Sequence, residues 1–332
     1  MRKGKAMTER ENVLRVYNKE IPEWVPEYTK CKAGCMTSFL MGSRGPEGGT
    51  DIFGVPYTPS PESADGASLP TPNAFILKDI TKWRDVIKVP DISHIDWEAL
   101  AKKDQANIDF ENRAVSMSIH VGYFQHLMNF MGFTEGLCAM YEEPEEVIAL
   151  MEYLSDFYVE VAKNMVRYYK ADILDLVDDT ATALNPFFSV EMYRELFKPY
   201  HARLAQVGVD AGMFVEMHNC GRCEDFIDDW MEFGVTVWNP AQIMNDLPAI
   251  KKKYGRDLVL CGCWDYSGPV SQAGASEEFV RQSVRDCLDT YAVDGGFIFW
   301  NYVLGRSNHP DLEEKFQWIA DEVDQYGHQF YK

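Results

Sequence analysis

The chain has 332 residues, enough for one large α/β domain or two ordinary ones. Its 52 acidic and 32 basic side chains give a net charge of −20. This charge argues against nucleic acid and anionic membranes as partners, because both favour a basic surface. Apolar residues make up 46% of the chain, so it can form a full core.

The N-terminus and the cysteines bear on the cellular compartment. The first residues lack the apolar middle of a signal peptide, and no window approaches the roughly 18 apolar residues of a membrane span. We therefore expect a cytoplasmic protein. Its 8 cysteines are then expected to be reduced, and to be metal ligands or core residues rather than disulfide partners.

The first 75 residues predict a helix, a strand and a long irregular segment. Residues 8–18 predict a helix with Thr8 as its N-cap and Glu11 at capping-box spacing. Residues 24–28 predict the first strand. The segment 32–75 is rich in Gly, Pro and Ser, and we expect irregular structure with a short hairpin. Long ordered loops in compact domains are usually functional, so this segment is predicted to cover a site.

After residue 83, apolar runs alternate with longer helical patterns, which is typical of a parallel sheet. Six runs plus one or two N-terminal strands suit one eight-stranded β/α barrel domain over 1–332, with its main part at 76–332. A doubly wound sheet is the competing architecture, but no Gly-x-Gly-x-x-Gly follows a strand to support a Rossmann nucleotide site. The predicted strands are 114–121, 172–177, 213–217, 235–238, 257–261 and 296–300, and the predicted helices are 144–170, 189–207, 224–233, 246–254, 276–293 and 311–326.

Polar residues follow several predicted strands, and in a barrel they all lie at the carboxyl-terminal rim, where active sites of this fold are found. The stretch 214–223 is the most informative. Glu216, His218 and Cys220 alternate where a strand ends, so an extended chain presents these metal-ligand types on one face. The other polar residues at strand ends are Asp178, Asp179, Asn239, Cys263, Asp265 and Asn301.

Several stretches, in this order, resemble the uroporphyrinogen decarboxylase superfamily. They are Asp-Asp-Thr at 178–180, Met-His-Asn-Cys-Gly at 217–221, Gly-Val-x-Val-x-Asn-Pro at 234–240 and Tyr-Gly-Arg-Asp-Leu-Val-Leu-x-Gly-x-x-Asp at 254–265. The resemblance covers most of the chain. It implies α/β architecture as a single distorted (β/α)8 TIM barrel with an N-terminal extension.

The superfamily has two main branches, and the residues favour one of them. Its decarboxylases carry an arginine-rich loop after the first strand, whereas residues 30–36 read Lys-Cys-Lys-Ala-Gly-Cys-Met. Its cobalamin-dependent methyltransferases carry zinc on a His-x-Cys pair, which His218 and Cys220 match. The usual third ligand of that branch, a Cys after the last strand, is absent from residues 299–305. The segment 48–55, Gly-Gly-Thr-Asp-Ile-Phe-Gly-Val, resembles methyltransferases that demethylate aryl methyl ethers in anaerobic bacteria.

The resemblance implies a methyltransferase that moves a methyl group from a methoxylated aromatic to the Co(I) of cobalamin on a partner corrinoid protein. A zinc ion or an acid at the rim would activate the ether oxygen. Three alternatives stay open. They are a carboxy-lyase acting on a smaller substrate, a methyl-corrinoid:thiol methyltransferase, and a non-catalytic barrel with a closed four-Cys zinc site built from Cys220, Cys223, Cys261 and Cys263.

For the metal, we expect ligands His218 and Cys220 with one of Cys261 or Cys263. Cys263 is the first choice because it is nearer the rim. Three protein ligands with one open position is the catalytic pattern of zinc. Glu216 is expected to be either a buried, hydrogen-bonded carboxylate or a further ligand.

The remaining candidates are acids and aromatic or amide side chains. Of Asp178 and Asp179, one is expected to cap a helix and the other to act as a general acid/base or to orient a ligand. His120 and His126 are expected to be structural. Aromatic residues at strand ends could sandwich an aromatic substrate, although most large aromatics are core residues. The candidate substrate-binding residues are Tyr123, Phe124, Asn239, Trp264, Trp300, Asn301 and Tyr302.

Overall fold

The computed structural model describes residues 6–60, 68–119, 122–303 and 311–332. Its strands are β1 (Lys32–Met36), β2 (Gly49–Thr50), β3 (Pro56–Pro59), β4 (Ser68–Pro70), β5 (Ala114–Ser118), β6 (Ile173–Val177), β7 (Phe214–His218), β8 (Val235–Ala241), β9 (Val259–Gly262) and β10 (Phe297–Phe299). Seven of them form a parallel sheet in the order β1-β5-β6-β7-β8-β9-β10. Each neighbour is the next strand of this sheet along the chain, as in a β/α barrel.

Helices fill the connections between these strands, which confirms the predicted α/β barrel architecture. They are α1 (Glu9–Tyr17), α2 (Tyr28–Cys31), α3 (Trp83–Val86), α4 (Trp97–Asp104), α5 (Tyr123–Met131), α6 (Phe133–Glu142), α7 (Pro144–Tyr168), α8 (Val190–Leu196), α9 (Lys198–Asp210), α10 (Ile227–Glu232), α11 (Leu247–Tyr254), α12 (Glu277–Tyr291) and α13 (Leu312–Glu322). The predicted helix 189–207 is two helices, because the chain bends at Phe197 between α8 and α9. None of the helices in the described ranges is long and apolar enough to cross a membrane.

The predicted first strand, 24–28, forms only a single bridge in the structure. Glu27 pairs with Phe299 of β10, and the Phe299 N–H donates to the Pro26 carbonyl at 2.9 Å. The strand stops there because the buried Glu27 carboxylate accepts the N–H groups of Thr29 and Lys30 and so starts helix α2. The first strand of the parallel sheet is instead β1, which lies in the segment that was predicted to be irregular and pairs with β5. The barrel therefore begins before residue 76.

Helix α1 packs against the amino-terminal ends of the barrel strands. Thr8 and Glu11 form the predicted capping box, with reciprocal hydrogen bonds of 3.1 and 2.8 Å. The buried face of α1 then joins an apolar cluster made by the first residues of several strands. This cluster contains Val13, Val16, Tyr17, Ala114, Ile173, Val237, Val259 and Ile298. Helix α1 therefore covers the amino-terminal end of the barrel.

The segment between β1 and α3 contains the predicted hairpin, extended to a small antiparallel sheet in the order β2-β3-β4. The loop between β2 and β3 packs on helix α5 through Phe53. The Phe53 ring lies 5.2 Å from the His126 ring and 5.4 Å from the Phe130 ring. This contact places the N-terminal segment beside the first helix that follows β5.

Candidate active site

Three side chains of ligand type meet just beyond the carboxyl ends of β6 and β7. His218 is the last residue of β7, Cys220 follows it by two residues, and Asp179 follows β6 by two. One ligand atom from each lies within 4.8 Å of the other two, and all three residues are partly accessible. The His218 Nε2 and the Cys220 Sγ are 3.8 Å apart.

A tight turn at Gly221 brings this group together. Gly221 has φ +92°, and a Cβ on it would lie 2.5 Å from the carbonyl oxygen of Ala181, so only glycine fits between the two loops. Hydrogen bonds from backbone and side-chain groups also join the loop after β6 to the loop after β7. The Arg222 N–H donates to Thr182, and the Cys220 N–H donates to Asp179 Oδ1 at 2.9 Å.

The adjacent aspartates have different roles. Asp178 is fully buried and accepts the N–H groups of Phe124 and Gln125 at 3.0 and 3.2 Å, which begins helix α5. Its Oδ2 also lies 3.2 Å from His201 Nε2, while burial raises the pKa of the carboxyl. This is the capping role expected for one of the pair. Asp179 instead accepts a hydrogen bond from the Gln125 side chain at 2.9 Å, and its carboxylate lies beside His218 and Cys220. We refer to Asp179, His218 and Cys220 as the ligand group.

Asp179 stands in the place that the sequence analysis gave to Cys263. In the described part of the chain, the only group of three candidate ligands is Asp179, His218 and Cys220. Gly262 and Cys263 both have positive φ, +125° and +62°, so the strand alternation that would align Cys263 with Cys261 is broken. Cys261 packs inside the barrel, and Cys263 lies in an outer cleft with Trp264, Asp265 and Cys287.

The four-Cys alternative finds no support in the same geometry. Cys223 is fully buried, and its thiol faces the carbonyl oxygens of Asn219 and Gly221 at 3.5 and 3.6 Å. Burial raises the pKa values of the thiols of Cys223 and Cys261 well above their ordinary value. Across the described ranges, these thiols join no cluster that could hold a metal ion.

Below the ligand group, a buried polar network spans the barrel interior. Glu216 on β7 accepts from Lys32 Nζ on β1 at 2.5 and 2.7 Å, and from the Tyr17 hydroxyl of α1 at 2.6 Å. The Asn239 side-chain amide donates to the same carboxylate. The Lys32 and Glu216 side chains are 2% and 0% exposed, so this ion pair is removed from water. Glu216 is therefore the buried, hydrogen-bonded carboxylate that was one of its two expected roles.

This network fixes the tautomer of His218. Asn239 donates its NH2 group to the Glu216 carboxylate, so its oxygen is the atom that faces His218 Nδ1 at 2.7 Å. An amide oxygen only accepts, so Nδ1 carries the ring proton. Nε2 is then left with a free lone pair on the side of Cys220. That is the tautomer a metal ligand needs.

The Cys220 thiol is held neutral by its surroundings. Burial raises the pKa of this thiol far above its usual range, and the nearby Asp179 carboxylate raises it further. Both effects disfavour an additional negative charge. A bound divalent cation would reverse this balance, since it favours the thiolate and pairs with the carboxylate.

The predicted aromatic residues separate into core residues and residues at the mouth. Tyr123 and Phe124 are buried at the start of α5. Trp264 is also buried, and its ring centroid lies 5.6 Å from that of Phe299. All three are therefore core residues. Trp300, Asn301 and Tyr302 are partly accessible at the end of β10.

Four partly accessible rings at the mouth form what we term the aromatic strip: Tyr28, Trp300, Tyr302 and Tyr266. Ring centroids are 5.0 Å apart for Tyr28 and Trp300, 5.7 Å for Trp300 and Tyr302, and 5.4 Å for Tyr302 and Tyr266. The Gln242 side chain donates to the Tyr266 hydroxyl and accepts the Gly221 N–H, which ties the strip to the Cys220 turn.

Three residues of this interior, Tyr17, Lys32 and Asp175, are not among those that the sequence patterns indicated. Asp175 lies in the middle of an apolar run, Ile-Leu-Asp-Leu-Val, and a charged residue inside a buried strand is a usable signal. Nothing local marks Tyr17, which reaches Glu216 from a helix almost 200 residues away. His126 is structural as expected, with Nε2 2.6 Å from the Tyr158 hydroxyl, while His120 lies outside the described residues.

Comparison with solved structures shows a fold that this chain shares with a known protein. The structure is similar to a methyltransferase from Methanosarcina mazei, with a TM-score of 0.62, 12% identity, and coverage of 97% of this chain and 99% of that one. The structure is less similar to dihydropteroate synthase from Anaplasma phagocytophilum. That comparison gives a TM-score of 0.35 and 16% identity, and it covers 53% of this chain and 68% of that one. No curated protein sequence shows significant similarity to the chain.

The family model described as uroporphyrinogen decarboxylase (URO-D) matches residues 109–301, which is more than half of the chain. The matched range runs from just before β5 to just after β10, and it includes Asp179, His218, Cys220 and Asn239. The chain belongs to the uroporphyrinogen decarboxylase family.

Proposed function

We propose that this protein is a methyltransferase that demethylates a methoxylated aromatic compound and passes the methyl group to the Co(I) of a partner corrinoid protein. The observation that carries the proposal is the Asp179–His218–Cys220 group, which offers one oxygen, one nitrogen and one sulfur at the barrel mouth. The aromatic strip beside it offers ring faces to an aromatic substrate. The fold shared with a methyltransferase over nearly the whole chain agrees with this function.

The ligand group fits zinc. Nitrogen and sulfur ligands of a tetrahedral zinc ion lie about 3.6 Å apart. The 3.8 Å between His218 Nε2 and Cys220 Sγ is close to that spacing. Asp179, His218 and Cys220 would hold the ion and leave one position open, which is the catalytic pattern. When bound there, zinc supplies a Lewis acid that stabilises negative charge on an oxygen atom.

The surrounding residues prepare this group for the reaction. Asn239 holds His218 in the tautomer with a free Nε2, and the Cys220 N–H holds Asp179 in place. Because α1 covers the amino-terminal end, a partner protein would approach from the mouth, where the aromatic strip lies. In the reaction, the bond between the methyl carbon and the ether oxygen breaks. The methyl group goes to cobalt, and the oxygen keeps the electron pair and takes one proton to give a phenol.

The decarboxylase alternative is disfavoured by the position of Lys32. Decarboxylases that this sequence resembles hold their substrate's carboxylates with arginines near this point of the chain. Here Lys32 is 2% exposed and donates to both oxygens of Glu216, so its charge is not available to a substrate carboxylate. The net charge of −20 also opposes a polyanionic substrate.

The test is an anaerobic methyl-transfer assay with a reduced corrinoid protein and a panel of guaiacol, vanillate, syringate and veratrole. The proposal predicts loss of the Co(I) absorbance together with an equal amount of phenol. His218→Ala should abolish the reaction, while Asp156→Asn, on the exposed face of α7, should not affect it.

Two outcomes would reject the proposal. One is a panel in which no methyl donor oxidises Co(I) while a carboxylic acid loses carbon dioxide without cobalamin. The other is faster methyl transfer from methylcobalamin to a thiol than from any ether to Co(I), which would reassign the protein to thiol methylation.

A further inference from the structure

The loop after β9 brings a partly accessible tyrosine, Tyr266, to the turn that holds Cys220. A single side-chain amide joins the two. The Gln242 amide accepts the Gly221 N–H at 2.6 Å and donates to the Tyr266 hydroxyl. The Cys220 thiol and the Asp179 carboxylate both lie within electrostatic reach of that hydroxyl. Tyr266 is therefore a neighbour of the ligand group on the side of Cys220.

The orientation of the Gln242 amide fixes the direction of its hydrogen bond with Tyr266. A backbone N–H only donates, so the atom of Gln242 that faces Gly221 is the amide oxygen. The atom that faces Tyr266 is then the NH2 group, which also only donates. The hydroxyl oxygen of Tyr266 accepts this bond, and within the described ranges it is the hydroxyl's one hydrogen bond. The O–H of Tyr266 is therefore available to donate to a ligand.

The ring of Tyr266 is held as well as its hydroxyl. Its centroid lies 5.4 Å from that of Tyr302 with an interplanar angle of 81°, which is a favourable edge-to-face contact. The chain turns at Gly262 and Cys263, which have φ +125° and +62°, and the Tyr266 N–H then donates to the Trp264 carbonyl at 3.0 Å. Because ring and hydroxyl are both fixed, the O–H is a donor that needs little reorganisation during a reaction.

We propose that Tyr266 donates a hydrogen bond to the oxygen that loses its methyl group, and that Gln242 is the positioning residue for this donor. The ligand class is the oxygen of an aryl methyl ether and of the phenolate that it becomes. This inference rests on the proposed function, because it assigns a second stabilising group to that reaction. Tyr266 and the ligand group meet at Cys220, so one oxygen can contact both. The substrate ring would then lie against the aromatic strip, of which Tyr266 is one end.

The step balances without a proton from Tyr266. The bond between the methyl carbon and the oxygen breaks, the methyl group goes to Co(I) of the corrinoid protein, and the electron pair remains on the oxygen. Burial raises the pKa of Tyr266 above its ordinary value, so the hydroxyl keeps its proton. The phenolate takes a proton from the solvent as it leaves the mouth. A hydrogen bond to the phenolate is stronger than one to the neutral ether, so the donor lowers the barrier.

Binding of a coloured phenol tests the proposal without any corrinoid protein. The probe is 4-nitrophenol, whose ionised form absorbs visible light. Tyr266→Phe should bind the ionised form roughly 10- to 100-fold more weakly than the wild type, the effect of one lost hydrogen bond to a charged group. The matched control is Tyr254→Phe, which removes a hydroxyl that donates to Asp228, and it should bind like the wild type. Zinc content should be equal in all three proteins.

Methyl transfer gives a second readout, which a merely structural role would not produce. With guaiacol as the donor, kcat of Tyr266→Phe should fall about 100- to 1,000-fold, the usual effect of removing one donor to a developing oxygen charge. KM should change much less. The loss in kcat should be smaller for 4-nitroanisole, because the nitro group draws charge from the oxygen and leaves less for Tyr266 to stabilise. Tyr254→Phe should keep the wild-type rate with both donors.

Phenolate binding by Tyr266→Phe that equals the wild type would overturn the inference, as would equal rate losses for guaiacol and 4-nitroanisole. Loss of zinc from Tyr266→Phe would also overturn it, because the tyrosine would then act through the metal centre. These results are separable from failure of the proposed function. Full methyl transfer by Tyr266→Phe would reject only this inference. An absence of methyl transfer in the wild type would reject the proposed function and leave the phenolate binding readable.

Discussion

Replacing Asn239 with leucine should weaken zinc binding through the tautomer of His218. The substitution removes the oxygen that accepts from His218 Nδ1 at 2.7 Å and the amide that donates to Glu216. Loss of a hydrogen bond that leaves a buried group unsatisfied costs about 1–3 kcal/mol. At 1.4 kcal/mol per tenfold change, zinc affinity should fall roughly 5- to 150-fold, which brackets the loss of about 10- to 100-fold that is typical when outer partners of metal ligands are removed.

The measurement is competition with a chromophoric zinc chelator, together with nitrogen NMR of the histidine rings. The chain has 7 histidines, so His218→Ala assigns the signal that belongs to His218. In the metal-free wild type this ring should be protonated at Nδ1, and in Asn239→Leu the two tautomers should mix. Asp156→Asn, which removes an exposed carboxylate on α7, should keep the zinc affinity and the His218 tautomer of the wild type. Unchanged zinc affinity and an unchanged tautomer in Asn239→Leu would refute the reasoning.

Three further predictions follow from the site and the network. Cys220→Ser should lose its zinc while Cys263→Ser keeps it, as measured by metal analysis after purification under reducing conditions, since Cys263 lies outside the ligand group. Lys32→Met should lower the free energy of unfolding by about 3–5 kcal/mol because it leaves the buried Glu216 charge unpaired, and Lys32→Met with Glu216→Gln should recover much of the loss in urea denaturation. The pKa of Asp175 is raised in the folded chain, so the folded state keeps a proton that the unfolded state releases above about pH 4. The unfolding free energy of the wild type should therefore fall relative to Asp175→Asn between about pH 4 and pH 7, and a difference that stays constant with pH would contradict the raised pKa.

Local patterns were sufficient for most of the barrel. Apolar runs in alternation with helical periodicity located β5 to β10 within a few residues, and the capping box located the start of α1. They failed at residues 24–28, where the pattern suggests a strand but the Glu27 side chain starts a helix. They failed again at β1, whose short run lies in a stretch of Gly and Ser that is typical of loops.

The candidate site was predictable only where it is contiguous in sequence. His218 and Cys220 stand two residues apart at a strand end, so alternation alone pairs them. Asp179 joins them from a neighbouring strand, and the left-handed backbone at Cys263 removes the expected third ligand, which no residue pattern shows. The partners of Glu216 come from α1, β1 and β8, so the network is visible only after the barrel has formed.

The account depends most directly on a metal centre with a single sulfur ligand at the barrel mouth. Zinc X-ray absorption spectroscopy of the purified protein measures the number and kind of ligands. The account predicts about one zinc per chain, with one sulfur at about 2.3 Å and the remaining nitrogen and oxygen ligands at about 2.0–2.2 Å. The single sulfur contribution should persist in Cys263→Ser, whereas Cys220→Ser should hold no zinc. Two or more sulfur ligands, or protein without zinc under reducing conditions, would contradict the Asp179–His218–Cys220 site.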